Sequence, residues 1–259
     1  MMRVSLWLVG LLSAAAVQSE CFAAQTSVPL PPPKPPEIAR PPPPAPTPQP
    51  APHGAGAQEE GAKETPKEGP TAGELCLERL KAAGFQFEPA ASPAAANPAC
   101  VIDTPVRLKA VGVAGRPGAL VRMIDEPILA CRFGERLGHW VADLAAPLLA
   151  ARLSSEVRAL RTGPGYECRN RNRAANGHIS AHALGLAVDV AAFELANGKA
   201  LPVKPDGDER NRAAMEAVRT AACGCFLTVL GPGSDAAHSD HMHLDIQQHG
   251  SSDRYRICQ

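Results

Sequence analysis

Three imidazoles fall within six residues of one another: His238, His241 and His243, at the spacing His-x-x-His-x-His, with Asp240 beside them. Some fifty residues upstream, Ser180-Ala181-His182-Ala183-Leu184-Gly185-Leu186-Ala187-Val188-Asp189 adds a fourth His and a second carboxylate. The chain holds only 8 His in 259 residues, so chance is a poor account of that clustering. Two His and one Asp are the donor set of a catalytic zinc site that keeps one coordination position for water, and the remaining His are available as proton carriers.

The elements that must carry these residues read as strands. In 185–191, Leu186, Val188 and Val190 share one face of a period-two pattern, while Gly185, Ala187, Asp189 and Ala191 share the other. The second cluster repeats the design. Met242, Leu244 and Ile246 point to a core, and His241, His243 and Asp245 to a cleft. Two such strands side by side would bring Asp189 and His243 within metal-bonding distance. His53, His139, His178 and His249 read as ordinary surface or hydrogen-bonded residues, and Asp245 can serve simply as a hydrogen-bond acceptor.

Around this centre, Thr71-Ala72-Gly73-Glu74 is a capping box opening a helix through Leu75, Leu77 and Leu80 that ends by Gly84. Cys100 to Leu108 alternates like a strand. Asp125-Glu126-Pro127 opens the longest expected helix, with Ile128, Leu129, Phe133, Leu137, Trp140, Val141 and Leu144 at helical spacing and Pro147 to kink or end it. A strand over Val157–Leu160 precedes the turn Thr162-Gly163-Pro164-Gly165. Asp208-Glu209 starts a helix to about Ala222, and Phe226–Leu230 is a short strand stopped by Gly231-Pro232-Gly233. The expectation is an α+β fold: a small antiparallel sheet with flanking helices, carrying the zinc site.

Residues 1–24 read as a cleaved secretory signal peptide, with an apolar run from Leu6 to Val17 and small residues at its exit. Residues 25–70 hold about sixteen of the 27 prolines and few large apolar side chains, which predicts a disordered Pro-rich tether in front of a folded domain at 71–259. A periplasmic or cell-envelope location follows, with no membrane span once the signal is removed. Seven Cys follow Cys21, and an oxidising compartment pairs most of them. Spacing does not fix connectivity. The expected pairs are Cys76 with Cys100, Cys131 with Cys168 and Cys223 with Cys258, leaving Cys225 unpaired. Equal numbers of basic and acidic side chains, 26 of each, lack the basic stripe of a nucleic-acid binder.

The motif Ser180-x-His182-x-x-Gly185-x-Ala187-x-Asp189, followed by His238-x-x-His241-x-His243, resembles the zinc peptidases of bacterial cell walls. These are the D-Ala-D-Ala carboxypeptidases and, by the second motif especially, the murein endopeptidases. The region from about Cys76 to Cys258 also resembles the bacterial extensin-like C-terminal domain family. Tyr166-Glu167-Cys168-Arg169-Asn170-Arg171-Asn172 and Thr228-Val229-Leu230-Gly231-Pro232-Gly233-Ser234-Asp235 carry that likeness. The resemblance implies a zinc-dependent hydrolase of peptide bonds in peptidoglycan stem peptides, with His182, Asp189 and His243 holding Zn2+. It makes His241 the general base or its partner, with His238 and Asp240 as alternatives, and puts Arg169 or Arg171 at a developing oxyanion. The carboxypeptidase relatives carry Glu where this chain has Asp240, which favours the endopeptidase arrangement with His. Two other classes stay open: a non-catalytic envelope-binding module that keeps the fold, and a structural metal site closed by a fourth ligand.

Overall fold

Residues 69–204, 206–251 and 254–259 are described by a computed structural model. The signal-peptide reading, and all but the last two residues of the tether reading, lie outside these described residues. The first helix, α1 (Ala72–Ala82), starts where its capping box requires. Thr71 Oγ1 accepts from the Glu74 amide at 3.2 Å, and the Glu74 carboxylate accepts from the Thr71 amide at 2.7 Å.

Strands β1 (Gln86–Pro89), β2 (Pro105–Gly112), β3 (Leu120–Met123) and β4 (Ile128–Ala130) follow. The ladder of β2 begins at Pro105, because the expected strand's first residues belong to a loop tied down at Cys100. A second difference concerns Ile128 and Leu129, expected in a helix. They pair with Arg107 and Val106 of β2, and the helix opens only at Cys131. Three consecutive apolar residues satisfy either period, and here the long-range ladder decides.

Helix α2 (Cys131–His139) runs through a π-helical stretch at Trp140–Ala145 into α3 (Ala146–Leu153). Pro147 therefore does not end the helix. Proline has no N–H to give and crowds the carbonyl four residues back. The wide turn just before it, with the Ala146 amide donating to Val141 O, takes up that mismatch.

The chain continues through β5 (Val157–Thr162), β6 (Ala187–Leu195), β7 (Ala200–Pro202), α4 (Glu209–Cys225), β8 (Thr228–Leu230), β9 (Met242–Asp245) and β10 (Ile257–Cys258). The α+β class is as read, with ten strands in one sheet among the described residues. Its order is β1-β2-β3-β5-β6-β9-β8-β10, with β4 on β2 and β7 on β6. All pairings are antiparallel except β3 with β5 and β10 with β8. Trp140, Phe133, Phe193 and Phe226 are fully buried between sheet and helices, Trp140 and Phe226 edge to face at 5.6 Å.

One irregularity sets the faces of β6. Thr162 pairs with Val190 but Arg161 with Ala192, so Ala191 is an extra residue. Parity reverses across this bulge: Phe193 is buried in the core while Asp189, also odd-numbered, turns to the cleft.

The disulfides correct two expected pairs. Cys76 joins Cys131 and Cys100 joins Cys168, with Cα atoms 6.2 and 5.5 Å apart; Cys223–Cys258 is as expected, and Cys225 is free. Packing of α1 on α2 brings Cys76 to Cys131, a contact that chain spacing does not encode. Three disulfides in one domain are compatible with a secreted or envelope protein. Among the described residues no helix is long and apolar enough to cross a membrane.

Candidate metal centre

Register builds the centre. Strands β6 and β9 run antiparallel with Asp189 directly opposite His243 and Val188 opposite Leu244. Directly opposed residues hold their Cβ atoms about 4.5–5.5 Å apart, close enough for short side chains to meet. Val188 and Leu244 vanish into the core, and Asp189 and His243 emerge on the cleft face. His243 Nδ1 lies 3.0 Å from Asp189 Oδ1.

His182 arrives from a different element. It sits in a short 3-10 helix, Ala181–Leu184, whose N-cap Ser180 accepts the His182 amide. Gly185 closes that turn at φ +65°, where an added Cβ would lie 2.7 Å from the Ala130 nitrogen, so glycine is required there. The turn leaves His182 Nε2 3.2 Å from His243 Nδ1 and 3.3 Å from Asp189 Oδ1. These three residues form a set whose donor atoms all lie within 4.8 Å of one another, a cluster able to hold a metal ion.

The far side of each ring decides what the near side offers. His182 Nδ1 donates to the Gly165 carbonyl at 2.7 Å, which leaves Nε2 with a lone pair. His243 Nε2 donates to Asp245 Oδ2 at 3.0 Å, which leaves Nδ1 with one as well. Two lone pairs and a carboxylate oxygen thus converge at hydrogen-bond distance. Such a triangle of acceptors demands positive charge at its centre, as a proton or a cation. The titration behaviour says the same. Burial disfavours charge on His243, yet Asp189 and Asp245 outweigh it and push its pKa up to about 9. Burial likewise opposes ionisation of Asp189, but hydrogen bonds from His182 and His243, and their charge, hold its carboxyl well below the usual range.

Residues 74–259 match the family described as extensin-like protein C-terminus. The chain belongs to this family. No curated protein and no solved structure matches it.

The cleft of this extensin-like domain encloses about 410 Å³. His241 touches the three-residue set at one point, Nε2 3.6 Å from Asp189 Oδ1, while its Nδ1 is held by Asp240 Oδ1 at 2.9 Å. Asp240 therefore stands behind His241, largely exposed, and outside the cleft lining. His238 lines the cleft with its Nδ1 on Asp235 Oδ1 at 2.7 Å and its ring 5.7 Å from that of His243. Arg169, Arg171 and Arg173 also line the cleft.

Other His residues fall as follows. His139 pairs with Asp143 on the helix surface, and His178 lies exposed in the loop before Ser180. His249 is hydrogen-bonded, to Thr228 at 2.7 Å, and its position is on the cleft wall. His53 lies outside the described residues.

Sequence reasoning missed several supporting groups. The Gly165 carbonyl that fixes the His182 tautomer has no sequence signal. Asp235 had one, an acid three residues before a His. Glu167 had another, lying between the cleft's arginines and the turn: it accepts from Arg169 Nε at 2.8 Å and pairs with Arg173. Burial opposes its charge, but the two guanidiniums prevail and lower its pKa.

Proposed function

We propose that this domain is a zinc-dependent hydrolase of peptide bonds in bacterial peptidoglycan, of the D,D-carboxypeptidase or endopeptidase type, acting in envelope maintenance. The observation that carries this reading is the triangle of acceptors formed by His182 Nε2, His243 Nδ1 and Asp189 Oδ1, with edges of 3.0–3.3 Å. A tetrahedral ion bound at 2.0–2.1 Å would space its donors by roughly 3.3 Å, so His182, Asp189 and His243 fit zinc. The likeness of the two His/Asp motifs to the cell-wall zinc peptidases adds to it.

Bound there, zinc would supply Lewis acidity toward a carbonyl and a water of pKa about 7. The chain's own groups do the rest. His241 Nε2, kept as the acceptor nitrogen because Asp240 holds Nδ1–H, takes the proton of the attacking water and delivers it to the leaving amine. Arg169, steadied by Glu167 and only 19% exposed, faces the cleft where negative charge develops on the carbonyl oxygen. Small side chains at Ala181 and Ala237 line the cleft and suit a D-alanine methyl group.

A closed structural metal site is the second reading. One distance favours it: His241 Nε2 at 3.6 Å from Asp189 Oδ1 needs little movement to become a fourth ligand. Zinc titration and muropeptide release from purified sacculi separate the two. Under the hydrolase reading, His241→Ala keeps stoichiometric zinc and loses cleavage; under the closed-site reading it loses zinc affinity, and the parent cleaves nothing. Parent protein that binds sacculi without cutting them would identify a binding module instead. Cleavage that survives both His243→Ala and Asp189→Ala rules out the metal mechanism.

A further inference from the structure

A second cavity, of about 470 Å³, lies behind β9 and along one face of α4. The strand alternates between the two spaces: His241 and His243 line the metal cleft, and Met242 between them lines this one. Its volume falls in the range of small-molecule sites, roughly 300–1,000 Å³. Met215, Met242 and Val203, all nearly buried, give it an apolar floor. Of the three methionines among the described residues, two are here, and an unbranched thioether adapts its shape to an apolar guest.

The charged side chains around that floor divide into answered and unanswered. Asp206 is engaged, with Oδ2 accepting from the Asn211 carboxamide at 2.7 Å and Oδ1 from the Asp208 amide at 3.0 Å. Arg212 lies 3.5 Å from Glu209, and among the described residues ion pairing on α4 is confined to those two. Glu216 and Arg219 therefore stand unanswered, one turn apart on the cavity side of the helix. Residues at that spacing are neighbours and ordinarily pair. Here the turn after β8 engages the arginine instead: its Nη1 donates to Pro232 O at 3.1 Å, and the guanidinium lies over Gly231, where an added Cβ would sit 3.6 Å from Nη1. One of its five donors is thus used, and the fork keeps the others.

We infer that this cavity binds a free α-amino acid with a large apolar side chain, its carboxylate on Arg219, its ammonium on Glu216 and its side chain over Met215 and Met242. A ligand with a single charge, such as a fatty acid or an amine, would answer one of the two groups and set a like charge beside the other. An α-amino acid carries both complementary charges on neighbouring atoms, and the carboxylate–guanidinium contact is charge-assisted. The site lies outside the metal cleft and stands independently of the hydrolase reading.

The test is a titration of the full chain, carrying 13C-methyl methionine, with L-leucine, followed by NMR. The Met215 and Met242 methyl resonances should move together and saturate, while that of Met123, on β3, stays still. Leucinamide, which lacks the anion, and N-acetyl-leucine, which lacks the cation, should each bind about tenfold more weakly, as should alanine, which lacks the apolar side chain. Arg219→Gln should erase the discrimination against leucinamide and keep that against N-acetyl-leucine; Glu216→Gln should do the reverse. An unchanged Met123 resonance in both variants reports that the fold is intact. The inference is overturned by the absence of a saturable shift at millimolar leucine, by equal affinities for leucine and its two derivatives, by discrimination that survives both substitutions, or by a Met123 shift that tracks the other two.

Discussion

Asp245→Asn is the most informative substitution, because it alters none of the three candidate metal donors and changes one oxygen to a nitrogen. Asp245 is buried and accepts on both oxygens, from the Gln247 amide at 3.0 Å and from His243 Nε2 at 3.0 Å. An asparagine keeps its oxygen for the Gln247 amide, which can only donate, and so turns its NH2 to His243. The imidazole must then accept at Nε2 and carry its proton on Nδ1, the atom that faces Asp189 and His182. Restoring the productive tautomer sets two buried donors against each other, at a cost of about 1–3 kcal/mol. Partners behind a metal-bound His are worth roughly 10–100-fold in metal affinity. Zinc affinity, measured by competition with a chromophoric chelator, should therefore fall about 10–100-fold, or about 1.4–2.8 kcal/mol. Asp245→Ala leaves the tautomer unbiased and should cost less than Asp245→Asn. Unchanged affinity in Asp245→Asn, or a larger loss in the alanine variant, would refute the tautomer argument.

Removing the Cys100–Cys168 bridge by a double Ser substitution should cost up to about 4 kcal/mol in urea denaturation, from the entropy of a loop 68 residues apart. Non-reducing peptide mapping should also recover Cys76 joined to Cys131. Gly185→Ala should destabilise by about 2–4 kcal/mol, since it adds a left-handed backbone penalty to overpacking against Ala130 and Ile102; a loss under 1 kcal/mol would contradict the close approach. Cys225 should resist alkylation at neutral pH in native protein and react on unfolding, because burial raises its thiol pKa despite Arg136 and Arg256. Glu167 has a folded pKa below its unfolded value, so its contribution is present above the unfolded pKa, about 4.3, and lost as pH falls through the folded one. Glu167→Gln should thus lower Tm at pH 7, and the difference should shrink steadily on acidification.

Local rules were legible wherever one residue type had one physical use. The Thr71/Glu74 capping box and the Asp208 cap mark helix starts at Ala72 and Glu209. The alternation in 185–191 and 241–246 reported two strands because large aliphatics and small or polar residues cannot exchange faces without exposing the core. Ile128 and Leu129 were illegible for the opposite reason: three apolar residues fit helix and strand alike, and the choice lay with β2, some twenty residues earlier. Pro147 signalled a break, and would have made one had the preceding turn not widened.

At the candidate site, residue types could be read but their division of labour could not. Four His and three Asp all have plausible roles on paper; what separates them is the group behind each ring. Asp245 behind His243 and the Gly165 carbonyl behind His182 turn both lone pairs inward, so those two rings share a triangle with Asp189. Asp240 behind His241 turns that ring's Nε2 toward the edge of the triangle instead, 3.6 Å from Asp189 Oδ1. One acceptor is a backbone atom and another lies two residues along its own strand, on the same face. The chemistry of the pocket is therefore set by hydrogen-bond polarity across a folded sheet, a quantity that spacing between histidines does not contain.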